Sequence, residues 1–82
     1  MKIYVKLTGR YKEIVSKSEF ELSMNPNDTI WNVIDKFAAR YPEVEKDKKF
    51  IMVSKNNVYT TYDEQLADGD IVTLSPPVVS GG

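Results

Sequence analysis

Between Ile30 and Arg40 the apolar residues recur at helical spacing, whereas on both sides of that segment they recur at every second position. Ile30, Val33, Ile34, Phe37 and Tyr41 form one stripe, joined by Ala38, which predicts one amphipathic helix. Before it, Ile3, Val5 and Leu7 alternate with Lys2, Tyr4, Lys6 and Thr8, and Phe20 and Leu22 alternate with Glu19, Glu21 and Ser23. This is the pattern of two half-buried strands, simplest as an antiparallel pair. After the helix come Phe50-Ile51-Met52-Val53, a second short stretch from Val58 to Tyr62, and Ile71-Val72-Thr73-Leu74. A single helical stripe among strands leaves few ways to bury every apolar face.

The punctuation between these segments agrees. Gly9 to Lys17 reads as a polar connection carrying Ile14 and Val15, and Asn25-Pro26-Asn27-Asp28 as a turn. Thr29 is suited to cap the helix, with Asp28 beside its positive end, and Pro42 stops it. Glu43 to Lys49 mixes both charges and reads as a solvated loop; Lys55-Asn56-Asn57 and Asp68-Gly69-Asp70 read as turns. Asp63 to Leu66 is a short turn or loop. Trp31 lies off the apolar stripe and is expected to be partly exposed against a loop, while Tyr4, Tyr59 and Tyr62 are expected on sheet positions. Two strands, a helix, then two or three strands predict an α+β fold with the first and last strands parallel in the middle. That layout is the β-grasp roll: a mixed sheet of four to five strands with one main helix across it.

A chain of 82 residues makes one small domain and one core. Its net charge of −1 argues against a general binder of nucleic acids or anionic membranes. Histidine and cysteine are both absent, removing the usual zinc ligands, a thiol nucleophile and the side chain best suited to proton transfer near neutral pH. No cofactor and no metal site are expected; if the protein takes part in chemistry, the catalytic groups belong to a partner. The alternating start, Met1 to Leu7, is not the apolar run of a signal peptide, and a cytoplasmic location is the expectation.

The remaining candidate is the end of the chain. Residues 1–77 are read as the folded domain and 78–82 as a flexible Gly-Gly tail. Pro76 and Pro77 fix φ near −65° and remove two backbone donors, favouring an extended exit. Val78, Val79 and Ser80 form an arm, and Gly81-Gly82 end in backbone slim enough to thread a narrow channel, with no side chain beside the last carboxylate. The candidate site is therefore Gly82, with Pro76, Pro77, Val78, Val79, Ser80 and Gly81 as the segment that enters a partner.

The stretch Leu66-Ala67-Asp68-Gly69-Asp70-Ile71-Val72-Thr73-Leu74-Ser75-Pro76-Pro77-Val78, followed by Gly81-Gly82, resembles the C-terminal signature of the ubiquitin-like sulfur carriers. These comprise the small subunit of molybdopterin synthase (MoaD) and the thiamine-pathway carrier (ThiS). Thr29-Ile30 opening the helix, Arg40-Tyr41-Pro42 closing it and the proline pair are most similar to the molybdopterin subunit. One departure is that Val78, Val79 and Ser80 separate the prolines from Gly81, where that subunit usually has two residues. The resemblance implies a protein that is not catalytic alone. A ubiquitin-activating-like enzyme would use ATP to adenylate Gly82, and a sulfur donor would turn the adenylate into a thiocarboxylate. The large subunit of molybdopterin synthase, in a heterotetramer, would accept the tail. A thiamine-pathway carrier and a protein modifier joined to lysines through Gly82 are the alternatives, and a partner surface is expected on the open sheet face.

Overall fold

The computed structural model describes residues 1–78. In chain order it has β1 (Lys2–Leu7), α1 (Arg10–Val15), β2 (Glu19–Ser23), α2 (Ile30–Arg40), a 3₁₀ helix (Pro42–Asp47), β3 (Met52–Lys55), β4 (Val58–Tyr59) and β5 (Ile71–Ser75). The five strands form one mixed sheet in the order β2-β1-β5-β3-β4. β1 pairs antiparallel with β2, placing Ile3 opposite Leu22 and Val5 opposite Phe20. β1 also pairs parallel with β5, with Tyr4 beside Ile71 and Leu7 beside Leu74. This is the β-grasp roll that the sequence predicts, with the last strand at the centre of the sheet.

The core is the layer between the sheet and α2. From the strands it takes Ile3, Val5, Leu7, Val53, Val72 and Leu74, and from α2 it takes Ile30, Val33, Ile34, Phe37 and Ala38, all buried. Phe37 is its aromatic centre, edge-on to Tyr11 at 5.4 Å, stacked with Phe20 at 6.3 Å and tilted against Tyr41 at 5.5 Å. Thr29 caps α2, and its N–H donates to Asn32 Oδ1 at 2.8 Å. Asp28 closes the preceding turn instead, its Oδ2 accepting from Asn25 N–H at 2.8 Å.

Four sequence expectations need correction. The connection from Gly9 to Lys17 contains α1, too short for a helical period to show; its Tyr11 is fully buried. The stretch Glu43 to Lys49 is not a solvated loop, because the 3₁₀ helix drives Val44 fully into the core and buries Asp47. β3 begins at Met52, two residues later than the apolar run: Phe50 N–H bonds back to Asp47 O at 2.7 Å, finishing a turn and leaving the ring 67% exposed. β4 is only Val58–Tyr59, and Tyr62 lies in the turn beyond it. There the Tyr62 hydroxyl donates to Ile51 O at 2.6 Å, and its ring meets Trp31 edge-on at 4.6 Å. That contact is the loop packing expected for Trp31.

Candidate functional site

β5 is central because it pairs with β1 on one side and β3 on the other, and both its ends are tied down. At its start, the backbone of Asp68-Gly69-Asp70 is woven into β1: Lys2 N–H donates to Asp68 Oδ1 at 2.8 Å, and Gly69 N–H donates to Lys2 O at 2.7 Å. Gly69 holds φ +86°, a left-handed conformation that glycine adopts without strain. The buried Asp70 carboxylate accepts from Ala67 N–H at 2.7 Å and from Asn56 Nδ2 at 3.0 Å. Asn56 itself belongs to the β3–β4 hairpin turn, where Asn56 and Asn57 both have positive φ, as a two-residue turn of this hand requires. Its side-chain oxygen accepts from Ile71 N–H at 2.9 Å, and its N–H donates to Ile71 O at 2.8 Å. The signature acids are thus fasteners of β5, not reagents.

At the other end the strand becomes the tail. The β1–β5 ladder finishes where Thr8 N–H reaches Leu74 O at 3.3 Å. One residue on, Thr8 Oγ1 donates to Ser75 Oγ at 2.8 Å. On the far side Ser75 pairs with Met52 of β3. Pro76 and Pro77 are half-buried at this root, and Val78 is 81% exposed. The expected site residues Val79, Ser80, Gly81 and Gly82 lie outside the described residues. Thr8, Gly9 and Ser75, which meet the tail root, carry no sequence motif of their own; Gly9 in a turn was the one available signal.

Between α1 and the 3₁₀ helix sits a polar group that sequence reading missed. Asp47 accepts from the Tyr11 hydroxyl at 2.8 Å and pairs with Arg10. Burial pushes the Tyr11 phenol well above its ordinary pKa, and the bond to Asp47 and its negative charge push the same way. The group ties α1 to the 3₁₀ helix, and nothing about it suggests a reacting centre.

Among the described residues, none covers the sheet face turned away from α2. It carries Tyr4 beside Ile71 at the centre, with Met52 and Tyr59 toward the β4 edge. Tyr59 is 77% and Met52 39% exposed, while Tyr4 and Ile71 are half-buried. Toward the other edge the face turns charged, with Lys2 and Glu21 paired at 3.4 Å. Met52 and Ser75 share a register position, so the apolar part of the face runs up to the tail root. Among the described residues, no helix is long and apolar enough to cross a membrane.

A β-grasp domain whose central last strand follows Asp-Gly-Asp and leads through Pro-Pro to Gly-Gly defines the class of ubiquitin-like sulfur carriers and modifiers. The chain belongs to the ThiS family, whose sequence pattern matches residues 5–82. It is 26% identical over 82 residues to the molybdopterin synthase sulfur carrier subunit of Arabidopsis thaliana, covering all of this chain and 84% of that protein. The fold is similar to a Pyrococcus furiosus protein assigned as molybdopterin converting factor subunit 1. The TM-score is 0.84 at 23% identity, over 95% of this chain and 99% of the other. It is also similar to small archaeal modifier protein 1 of Haloferax volcanii, with a TM-score of 0.81 at 22% identity over 94% and 98% of the two chains.

Proposed function

We propose that this protein is the sulfur carrier subunit of a molybdopterin synthase, bearing sulfur as a thiocarboxylate on Gly82. The observation that carries the reading is the placement of the tail root. It leaves the central strand beside an uncovered apolar face, so docking of that face and delivery of the tail belong to one movement. The overall likeness to the Arabidopsis thaliana carrier subunit supports the choice of pathway.

The chemistry follows from what the chain lacks. A carboxylate is a poor electrophile, and with no histidine or cysteine this protein has nothing to activate its own. An adenylating partner supplies ATP: the Gly82 carboxylate attacks the α-phosphorus, pyrophosphate leaves, and an acyl adenylate forms. A persulfide sulfur then attacks the carbonyl carbon and displaces AMP. A second thiol takes the donor's own sulfur as a disulfide, leaving the thiocarboxylate. Gly81 gives steric clearance, Pro76 to Ser80 form the docking arm, and the domain of residues 1–77 is the handle. The acceptor is the large subunit, whose active site receives the tail. In this reading the protein is the sulfur-donating, non-catalytic subunit and acts in the cytoplasm.

The test is the intact mass of the protein after incubation with its activating enzyme, ATP and a sulfur donor. The expected gain equals the replacement of one oxygen by sulfur, and it disappears when Gly82 is deleted. No gain with a demonstrably active enzyme refutes the proposal. The arm of Val78, Val79 and Ser80 is one residue longer than usual for that subunit, which bears on the acceptor more than on the terminal chemistry; the second reading with the same activation chemistry is a modifier joined to lysines through Gly82. Conjugates that survive reducing agent on a denaturing gel would select it.

A further inference from the structure

We infer that Thr8 and Gly9, in the turn after β1, are positioning residues that set the direction in which the tail leaves the domain. The inference rests on the tail-delivery reading above and adds to it the part of the fold that aims the tail.

Three observations converge on this turn. The Thr8 hydroxyl donates to the Ser75 hydroxyl at 2.8 Å, joining the last residue of β5 to the turn. Gly9 holds φ +56°, in the left-handed region where a side chain is strained. A methyl carbon placed on Gly9 would stand 3.3 Å from Pro76 Cγ and 3.5 Å from Pro76 Cδ, so the proline ring rests on the bare glycine backbone. The backbone conformation calls for glycine here, and a side chain would also push the Pro76 ring away by a few tenths of an ångström.

The position along the chain gives the contact its meaning. Pro76 and Pro77 have no N–H, so the tail cannot donate the bonds that would continue the β1–β5 ladder. Beyond Leu74 the hold on the β1 side passes to the Thr8–Ser75 hydroxyl pair and to the Pro76 ring on Gly9, while on the other side Met52 of β3 still pairs with Ser75. The hydroxyl pair and the ring contact act at the pivot of a lever. A tail drawn out at about 3.3 Å per residue reaches roughly 16 Å from Val78 to Gly82. A tilt of about 10° at the pivot then moves its tip by about 3 Å over that length. Displacements smaller than this already take reacting groups out of attack geometry.

Because the chain has no native cysteine, two nitroxide labels can be placed without interference, at Val78→Cys beside the pivot and Ala39→Cys on the exposed side of α2. Dipolar spectroscopy then reads the distance distribution between them. The expected result is one narrow population in the otherwise unaltered protein. Gly9→Ala should shift and broaden it, Thr8→Val should broaden it less, and Thr8→Ser should restore it. In unlabelled protein, Gly9→Ala should lower kcat for adenylation by the activating enzyme by about 10- to 100-fold. KM should stay unchanged, because the apolar sheet face is intact. Identical distributions across the series overturn the inference, as does an altered distribution with unchanged kcat, or a rise in KM alone. If Gly9→Ala fails to fold, Thr8→Val and Ser75→Ala carry the same comparison. Activity that survives deletion of Gly82 would instead refute the sulfur-carrier reading, leaving the distance measurement to judge the pivot by itself.

Discussion

Replacing Asp70 by alanine tests whether the signature acids fasten the fold. In the folded protein its carboxylate accepts from Ala67 N–H at 2.7 Å and Asn56 Nδ2 at 3.0 Å, with Lys55 Nζ 4.0 Å away. A hydrogen bond to a charged group is worth about 1.5–3 kcal/mol, so two would set an upper bound near 6 kcal/mol. Ala67 and Asn56 are exposed residues, and water can replace part of what is lost. The expected loss is therefore about 3 kcal/mol, within the roughly 4–12 kcal/mol total for a domain of this size. At about 4–8 °C per kcal/mol, Tm should fall by roughly 12–24 °C. Asp70→Asn should fall in between. Its amide keeps an acceptor for Ala67 but turns its NH₂ on Asn56 Nδ2, and flipping Asn56 would sacrifice the bond from Ile71 N–H. Urea unfolding of Asp70→Ala, Asn56→Gly and the double variant measures the coupling, glycine being chosen because φ at Asn56 is +51°. Sulfur loading of Gly82 should persist in the folded fraction of Asp70→Ala. A loss below about 1 kcal/mol would refute the reasoning, since one neutral hydrogen bond would account for it.

Two further predictions concern the interior and the open face. Tyr11→Phe should cost about 1.5–2 kcal/mol, the lower part of the range for a bond to a charged group, because Asp47 keeps Arg10 as a partner. Since the folded-state pKa of Tyr11 is raised, its contribution is fully present below about pH 10 and declines as pH rises above the unfolded value. Alkaline urea titrations should therefore show a shallower loss of stability in Tyr11→Phe. The loss that remains includes Tyr62, which burial also raises. A slope equal to that of the parent protein would contradict the assignment. Tyr59→Lys with Met52→Lys should leave Tm within a few degrees, Tyr59 being largely exposed and Met52 partly so at the end of its strand, while raising KM for the activating enzyme or weakening large-subunit binding. Unchanged values for both partners would exclude this face as the docking surface.

The sequence showed the fold where its periods were long enough to be read. Residues Ile3 to Leu7, Phe20 to Leu22 and Ile30 to Tyr41 each repeat their pattern, and all are found as expected. Segments of about two turns or fewer were not legible. Tyr11 and Val44 read as parts of polar connections because their neighbours are charged, yet both are fully buried. Burial of Asp47 could not be inferred, since its partners Arg10 and Tyr11 lie in an element the local pattern does not reveal. Phe50 erred in the other direction: an apolar run suggested a strand, but a backbone bond to Asp47 O keeps it in the preceding turn. At the site, Pro76 and Pro77 stand at the tail root, while Asp68 and Asp70 were recognisable as a signature without their structural task being visible. The Thr8–Gly9 turn escaped because a glycine shows its conformational freedom in sequence, but not the proline ring resting on it.

The parallel pairing of β1 and β5 has a mechanical consequence. One strand begins beside the first residue and the other ends at the tail, and they lie side by side pointing the same way. A pull applied between these two ends runs along both strands and loads their shared hydrogen bonds together in shear, rather than opening them one at a time. β3 grips β5 from its other side, so the stem cannot slide out without disrupting the middle of the sheet. A force on the residues that follow Ser75 is therefore borne by the middle of the sheet, and the domain takes it as one rigid load.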